Sequence, residues 1–262
     1  MTRFGVALEI TPPRERSPAI LLRRAGLLGA TADSIHVIQR PGRQTSLDAS
    51  IELARAGLAS VWHVVNRGRT SAEIEREIER AACEGLGAAL VVRGEGAVAD
   101  LPDSPPLREV VARIRTALPV ARIGVTLNPY LDPARTLANL WPKLEAGASF
   151  IQTQPVFSAA TLSGVGEAIR RRAPGVAIVP MVIPLLSAAA AEKLALRLRL
   201  PLPVDLVGTL ARGGVGTGWE LLARTLRELR ASGLADGVAV MTLEMDPGGA
   251  FAERLRTVLR GD

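Results

Sequence analysis

Short runs of β-branched and apolar residues alternate along this chain with segments whose apolar positions recur at helical spacing. Phe4 to Ile10 is the first such run, closed by Thr11-Pro12-Pro13, and Pro18 to Leu28 reads as its helix. Ser34 to Ile38 and Ser46 to Ala56 repeat the unit, as do Ser60 to Val65 with Ser71 to Glu84. Gly87 to Val92 precedes a Gly- and Pro-rich loop and a helix over Leu107 to Leu118. Arg122 to Leu127 turns at Asn128-Pro129 into a helix over Pro133 to Ala146. Phe150 to Thr153 is followed by Ala159 to Arg172, and Val176 to Val179 by Ala188 to Leu198. Leu206 to Gly218 reads as loose and glycine-rich, Trp219 to Ala231 as helical, and Gly237 to Met241 as the eighth strand.

Eight strand-helix units in 262 residues predict an α/β fold, a closed parallel (β/α)8 TIM barrel with residues 1–262 as one domain. The strands are continuous apolar runs, as strands covered on both faces should be. An open doubly wound sheet is the alternative topology. The stretches 94–106 and 201–218 then read as barrel loops.

Within this frame one segment stands out: KLEAGASFIQTQPVF, residues 143–157. A helix ends near Ala146, Gly147 supplies the turn, and a buried strand runs into Gln152, Thr153 and Gln154. Pro155 is expected to stop further pairing. Polar groups at the C-terminal tip of a barrel strand sit where such barrels place their chemistry, although solvated loop glutamines fit the pattern equally well.

Composition narrows the partners. The formal charge is +6, but of the 32 basic residues only Lys143 and Lys193 are lysines, and the arginines are interleaved with Glu on helix faces. Aromatics make up 3% of the chain, too few for a stacking platform, so nucleic acid is not the expected partner; an attraction for anionic small molecules is. No apolar run of membrane-spanning length and no signal-like N-terminus occurs, and Cys83 is the one cysteine, which together point to the cytoplasm. Cys83 follows Ala81 and Ala82 and reads as a packed side chain. The oligomeric state, a homo-oligomer included, is left open.

A barrel would gather Glu9, Gln39, Arg40, His63, Asn66, Arg93, Glu95, Asn128, Asp132, Gln154, Thr242 and Glu244 on one face. Glu9 lies among apolar residues and just before a double proline, an unusual place for a solvated charge. By default His63 is a buried histidine bonded to backbone, and Arg93 and Glu95 pair with each other. No His, Cys and carboxylate constellation has metal-ligand spacing, so no metal is expected; no nucleophile-elbow or phosphate-loop motif occurs either. Gly213-Gly214-Val215-Gly216 is a candidate anion nest, with a plain flexible loop as the commoner explanation.

The order of these motifs resembles the methylenetetrahydrofolate reductase family. ALEITPPRE, with Glu9, Pro12 and Pro13, stands where the family opens with a strand, a Glu and two prolines. His63-Val64-Val65-Asn66 is in place of His-Leu-Thr-Cys, Arg93-Gly94-Glu95 of Arg-Gly-Asp, and Lys143 through Phe157 of the Lys-x-x-Ala-Gly-Ala segment. Pro180 to Pro184 and Val240-Met241-Thr242-Leu243-Glu244 match the last two motifs.

The resemblance implies reduction of 5,10-methylenetetrahydrofolate to 5-methyltetrahydrofolate, with hydride derived from NAD(P)H and normally carried on FAD. It implies a catalytic role for Glu9 as general acid, with Glu95 beside it. Gln154, Phe157 and Gln39 would contact the folate, and His63, Arg93, Asn128, Asp132 and Lys143 the cofactor. Asn128 stands where the family has a flavin-covering tyrosine and Asp132 where it has a histidine, so flavin binding is expected to be weak or absent, unless Tyr130 swings into the vacant place. A folate-binding or one-carbon-transfer barrel without the redox step is the alternative function.

Overall fold

A computed structural model describes residues 3–94 and 101–261. Eight parallel strands close into a barrel in sequence order: β1 Gly5–Ile10, β2 Ser34–Val37, β3 Ser60–Val65, β4 Ala88–Val92, β5 Arg122–Leu127, β6 Phe150–Pro155, β7 Ala177–Val182 and β8 Gly237–Met241. β8 pairs with β1 from Gly5↔Gly237 to Glu9↔Met241, which rules out the open sheet. The surrounding helices are α1 Pro18–Ala25, α2 Ser46–Arg55, α3 Ser71–Cys83, α4 Leu107–Ala117, α5 Pro133–Glu145, α6 Ser163–Arg172, α7 Ala188–Leu198, α8 Leu206–Ser232 and α9 Gly249–Arg260.

Local chemistry starts several helices where the sequence places them. Thr45 caps α2 through Asp48, and Thr70 with Glu73 forms a reciprocal capping box on α3. Asp132 accepts from the Arg135 amide ahead of Pro133, and Ser187 caps α7.

Alternation along each strand divides the core in two. Leu8, Val37, Val64, Val91 and Val125 point outward and are buried beneath the helices. Val61, Leu90 and Phe150 fill the barrel axis, with Ala88, Val92, Ala177 and Val179 packed against them. A Cβ on Gly124 would lie 2.2 Å from the Phe150 ring, so glycine there makes room for the one large aromatic in the interior.

Several sequence expectations are revised. Leu206–Ser232 is helical throughout except at Gly214 (φ 63°, ψ −155°), so the supposed loose loop and anion nest at 213–216 belong to a broken helix. Leu206 and Leu210 are buried, and a Cβ at Gly218 would meet the Leu185 carbonyl at 2.3 Å. Close packing on the loop after β7 therefore overrides the poor helix propensity of this segment. The helix expected from 18 to 28 changes to a 3-10 turn at Gly26, and the one from 159 begins as 3-10 over Ala159–Leu162. Strand six runs past Thr153 and Pro155 is itself paired as the last residue of β6: the register shifts between Gln152 and Pro155, and Pro155 then faces Met181. An irregular position tolerates a residue without an N–H. Cys83 is exposed rather than packed, because it lies in the last turn of α3 beyond the buried stripe of Ile74, Ile78 and Ala81.

Candidate functional site

The C-terminal ends of the strands open into a cavity of about 1150 Å³. Its floor holds Glu9, His63 and Gln152, and its wall includes Gln39, Arg93 and Gln154. Glu9, His36, His63 and Gln152 are all buried. They come from four strands whose inward positions the register aligns: Glu9 lies opposite His36, and His63 is two residues beyond Val61, His36's partner on β3.

Gln152 reaches across the barrel, its Nε2 donating to Glu9 Oε1 at 2.8 Å. His63 Nε2 lies 3.8 Å from the same carboxylate oxygen. The backbone N–H of His63 donates to Ser46 Oγ, which in turn donates to the Val37 carbonyl, so α2 fixes the position of β3 at this level. The His36 and His63 rings meet edge-on, with centroids 6.0 Å apart.

Burial keeps both imidazoles neutral. The pKa of His36 falls to about 4, chiefly through loss of solvent, with polar contact to Gln152 opposing and the Arg122 charge adding to the fall. His63 falls to about 3 by burial and by the field of His36. The 3.8 Å contact between His63 and Glu9 is therefore no ion pair at neutral pH. Three buried polar atoms here have no hydrogen-bond partner among the described residues: His36 Nδ1, His63 Nε2 and Gln152 Oε1.

Above this floor the wall is basic. Arg14, Arg40, Arg43, Arg67, Arg69, Arg93 and Arg197 line the cavity against Glu9 and Glu77, with Arg69 bonded to Glu77 and Arg43 donating to the Pro12 carbonyl at 3.0 Å. Such a collar favours an anionic ligand. A second cavity, about 570 Å³, opens at the strands' N-terminal end and reaches His36, with Arg122 5.5 Å above the Phe150 ring in its wall.

The residues expected from the sequence divide. Glu9, Gln39, His63, Arg93 and Gln154 line the upper cavity together. Gln39 also uses its carbonyl to accept from the Ser46 amide at the start of α2. Phe157 instead lines a separate cavity beside α8, with Val182, Leu206 and Leu222, because the bulge in β6 turns the chain outward after Pro155. Asn128, Asp132 and Lys143 do not line the cavity. Asn128 Oδ1 accepts from the Tyr130 amide, Asp132 caps α5, and Lys143 is buried in the last turn of α5 with its pKa lowered by desolvation. Tyr130 is held in place, its hydroxyl donating to the Pro155 carbonyl at 2.7 Å. Glu95 lies outside the described residues.

Two site residues were given no role by sequence reasoning: His36 was not singled out, and Gln152 was noted only as one of the polar groups at the tip of strand six. His36 had a readable signal, since it stands in the middle of strand two at the same inward parity as Glu9 in strand one. Gln152 was visible as polar, but its bond to Glu9 spans 143 residues and belongs to the closed barrel alone.

A family profile described as methylenetetrahydrofolate reductase matches residues 2–248. The chain belongs to that family. No curated protein matches it. Among solved structures, a Clostridium thermocellum protein, described as uncharacterized and as binding two copies of 5-methyl-5,6,7,8-tetrahydrofolic acid, superposes with a TM-score of 0.73. It is 15% identical, with 99% of this chain and 95% of that one covered. A 2,3-dimethylmalate lyase of the PEP mutase/isocitrate lyase superfamily gives a TM-score of 0.50 at 13% identity, covering 73% of this chain and 72% of that one. At these identities the likeness concerns the barrel fold.

Family membership raises the question of a flavin. Among the described residues lining the upper cavity there is no Phe, Tyr or Trp to cover an isoalloxazine ring, and Tyr130 is engaged elsewhere. The arginines suit a pyrophosphate, but only aliphatic and methionine side chains such as Ile38, Val65, Val92, Met181 and Met241 are there to cover the ring, so the lining fits the complete cofactor poorly.

Proposed function

We propose that this chain reduces 5,10-methylenetetrahydrofolate to 5-methyltetrahydrofolate, taking hydride directly from NAD(P)H. The observation that carries the reading is the Glu9 carboxyl at the cavity floor, oriented by Gln152, with Gln154 two residues further along β6 on the same wall. Glu9 would protonate a nitrogen of the substrate's five-membered ring. That C–N bond breaks, its electron pair goes to the protonated nitrogen, and the one-carbon unit remains as an iminium on the other nitrogen. Hydride from the reduced nicotinamide then adds to the iminium carbon, leaving a methyl group and oxidised NAD(P). One proton and one hydride are consumed, which closes the balance.

Gln154 can offer its amide as paired donor and acceptor to the pterin edge. The arginine collar suits the anionic glutamate end of a folate and the phosphates of the dinucleotide. Water-poor surroundings at Glu9 and His63 protect the iminium from hydrolysis.

Glu9→Gln tests the assignment. The amide retains the shape and a carbonyl that accepts from Gln152, so folate binding should persist while NAD(P)H-dependent turnover falls by about 10²–10⁴-fold, the usual worth of a general acid. Turnover at the wild-type rate would remove Glu9 from the chemistry. A folate-binding or one-carbon-transfer role is the second reading, favoured by the poor fit to flavin and by the folate held in the structural neighbour. Tight folate binding without oxidation of NADH or NADPH, with or without added flavin, would establish it.

A further inference from the structure

We propose that the cavity at the N-terminal mouth of the barrel is a second ligand site, built for an aromatic monocarboxylate. It measures about 570 Å³ and lies at the opposite end of the strands from the cavity that holds Glu9 and Gln154. The proposal rests on no part of the folate reading and does not involve Glu9.

A barrel interior is ordinarily packed with layers of Val, Ile and Leu. Here the inward positions at this end include Gly5, Ala7, Ser34, Ala88, Ala177 and Gly237, all of them small. Backbone geometry demands glycine at only one of them. A Cβ on Gly237 would lie 2.4 Å from the Gly5 carbonyl oxygen, whereas one on Gly5 would meet nothing nearer than Asp33 Oδ2 at 3.7 Å. Gly5 has no positive φ either. Strand packing therefore does not account for the open volume. An apolar hollow left unfilled costs stability, which an apolar ligand recovers.

The polar groups at this end suit one anion. His36 is 3% exposed and lines the cavity, and its Nδ1 has no hydrogen-bond partner among the described residues. Interiors rarely leave such an atom unsatisfied. Arg122, the first residue of β5, lines the mouth and forms no ion pair among the described residues. The two carboxylates of the lining already have partners. Asp33 accepts from Arg3 and the Val6 amide, and Asp236 from Arg170 and the Ile178 amide. The charge left for a ligand to answer is that of Arg122.

Phe150 narrows the class. Its ring centroid lies 6.1 Å from that of His36 and 5.5 Å from Arg122 Cζ, so a single carboxylate can bridge the two donors. A neutral imidazole presents an N–H at Nδ1 in one tautomer, and the guanidinium adds a charge-assisted bond. The body of the ligand then lies between Phe150 and the Gly and Ala walls. Such surroundings favour a rigid ring over a flexible chain, which loses more freedom on binding.

Calorimetric titration of the full chain with 2-naphthoate, beside its neutral amide 2-naphthamide, tests the site. One equivalent should bind at this mouth. Arg122→Gln, at an exposed position, should weaken 2-naphthoate by about tenfold or more, the worth of a charge-assisted hydrogen bond, and leave 2-naphthamide unchanged. Ala177→Leu, which fills the hollow, should abolish binding of both. A crystal of the wild-type complex should show the naphthalene ring beside Phe150, a result that requires no variant to fold. No saturable binding at millimolar 2-naphthoate would overturn the proposal. So would binding that Arg122→Gln and Ala177→Leu leave intact while Arg93→Gln reduces it, which would place the ligand in the upper cavity.

Discussion

Mild acid, between about pH 6.5 and 5, should already destabilise this protein. Both histidines of the chain are buried and neutral in the folded state, with pKa values near 4 for His36 and 3 for His63, against an ordinary value of 6.5. Between pH 6.5 and those folded values the unfolded chain binds two protons that the native one does not. Stability is therefore fully present above pH 6.5 and is lost as the pH falls toward 4 and then 3. Each proton is worth about 1.4 kcal/mol per pH unit, so pH 5 should cost about 2 kcal/mol per histidine and about 4 kcal/mol in all. That is a large part of the roughly 5–15 kcal/mol a domain has to lose. The groups facing the pair are Glu9, Gln152 and Arg122. The carboxylates whose pKa is lowered by arginine neighbours or caps, Asp48, Glu73 and Asp246, lose their contribution only at more acid pH. Urea unfolding of chelator-treated protein at pH 7.5 and pH 5, with a common slope, measures the difference directly. His36→Asn should remove about half of it. Equal stability at the two pH values would refute the burial argument.

Three further outcomes follow from the same geometry. Gly124→Ala should destabilise by about 1–3 kcal/mol through overpacking, because its Cβ falls 2.2 Å from the Phe150 ring; an unchanged urea midpoint would show that the interior has room. Gln154→Ala should raise the folate dissociation constant by about tenfold, the loss of one or two paired hydrogen bonds, while leaving turnover of bound substrate largely intact; equal affinity by fluorescence titration would remove Gln154 from the pterin contact. FAD should bind weakly, since no aromatic among the described lining residues covers its ring, and submicromolar binding at moderate salt would contradict that fit.

The pattern of apolar runs was enough to place eight strands and their order, because strands covered on both faces and helices with one buried stripe must repeat those periods. Glu9 was legible for a similar reason: a carboxylate inside an apolar strand has no place on a solvated surface. Local propensity misread Leu206 to Gly218, whose glycines look loose until the loop after β7 packs against Gly218. It also ended strand six at Thr153, whereas Pro155 is the last paired residue of β6 after a register shift that only the pairing with β7 defines. Linear resemblance put Phe157, Asn128, Asp132 and Lys143 near the ligand, while the chain's path after each strand directs them elsewhere. The cluster at the cavity floor required closure of the barrel. Glu9, His36, His63 and Gln152 are scattered over the sequence, and strand register together with the inward parity of each residue brings them within reach. Sequence alone thus determined the repeating unit and the buried acid; the tertiary structure decided what the acid faces, because side-chain parity becomes contact only when eight strands meet around one axis.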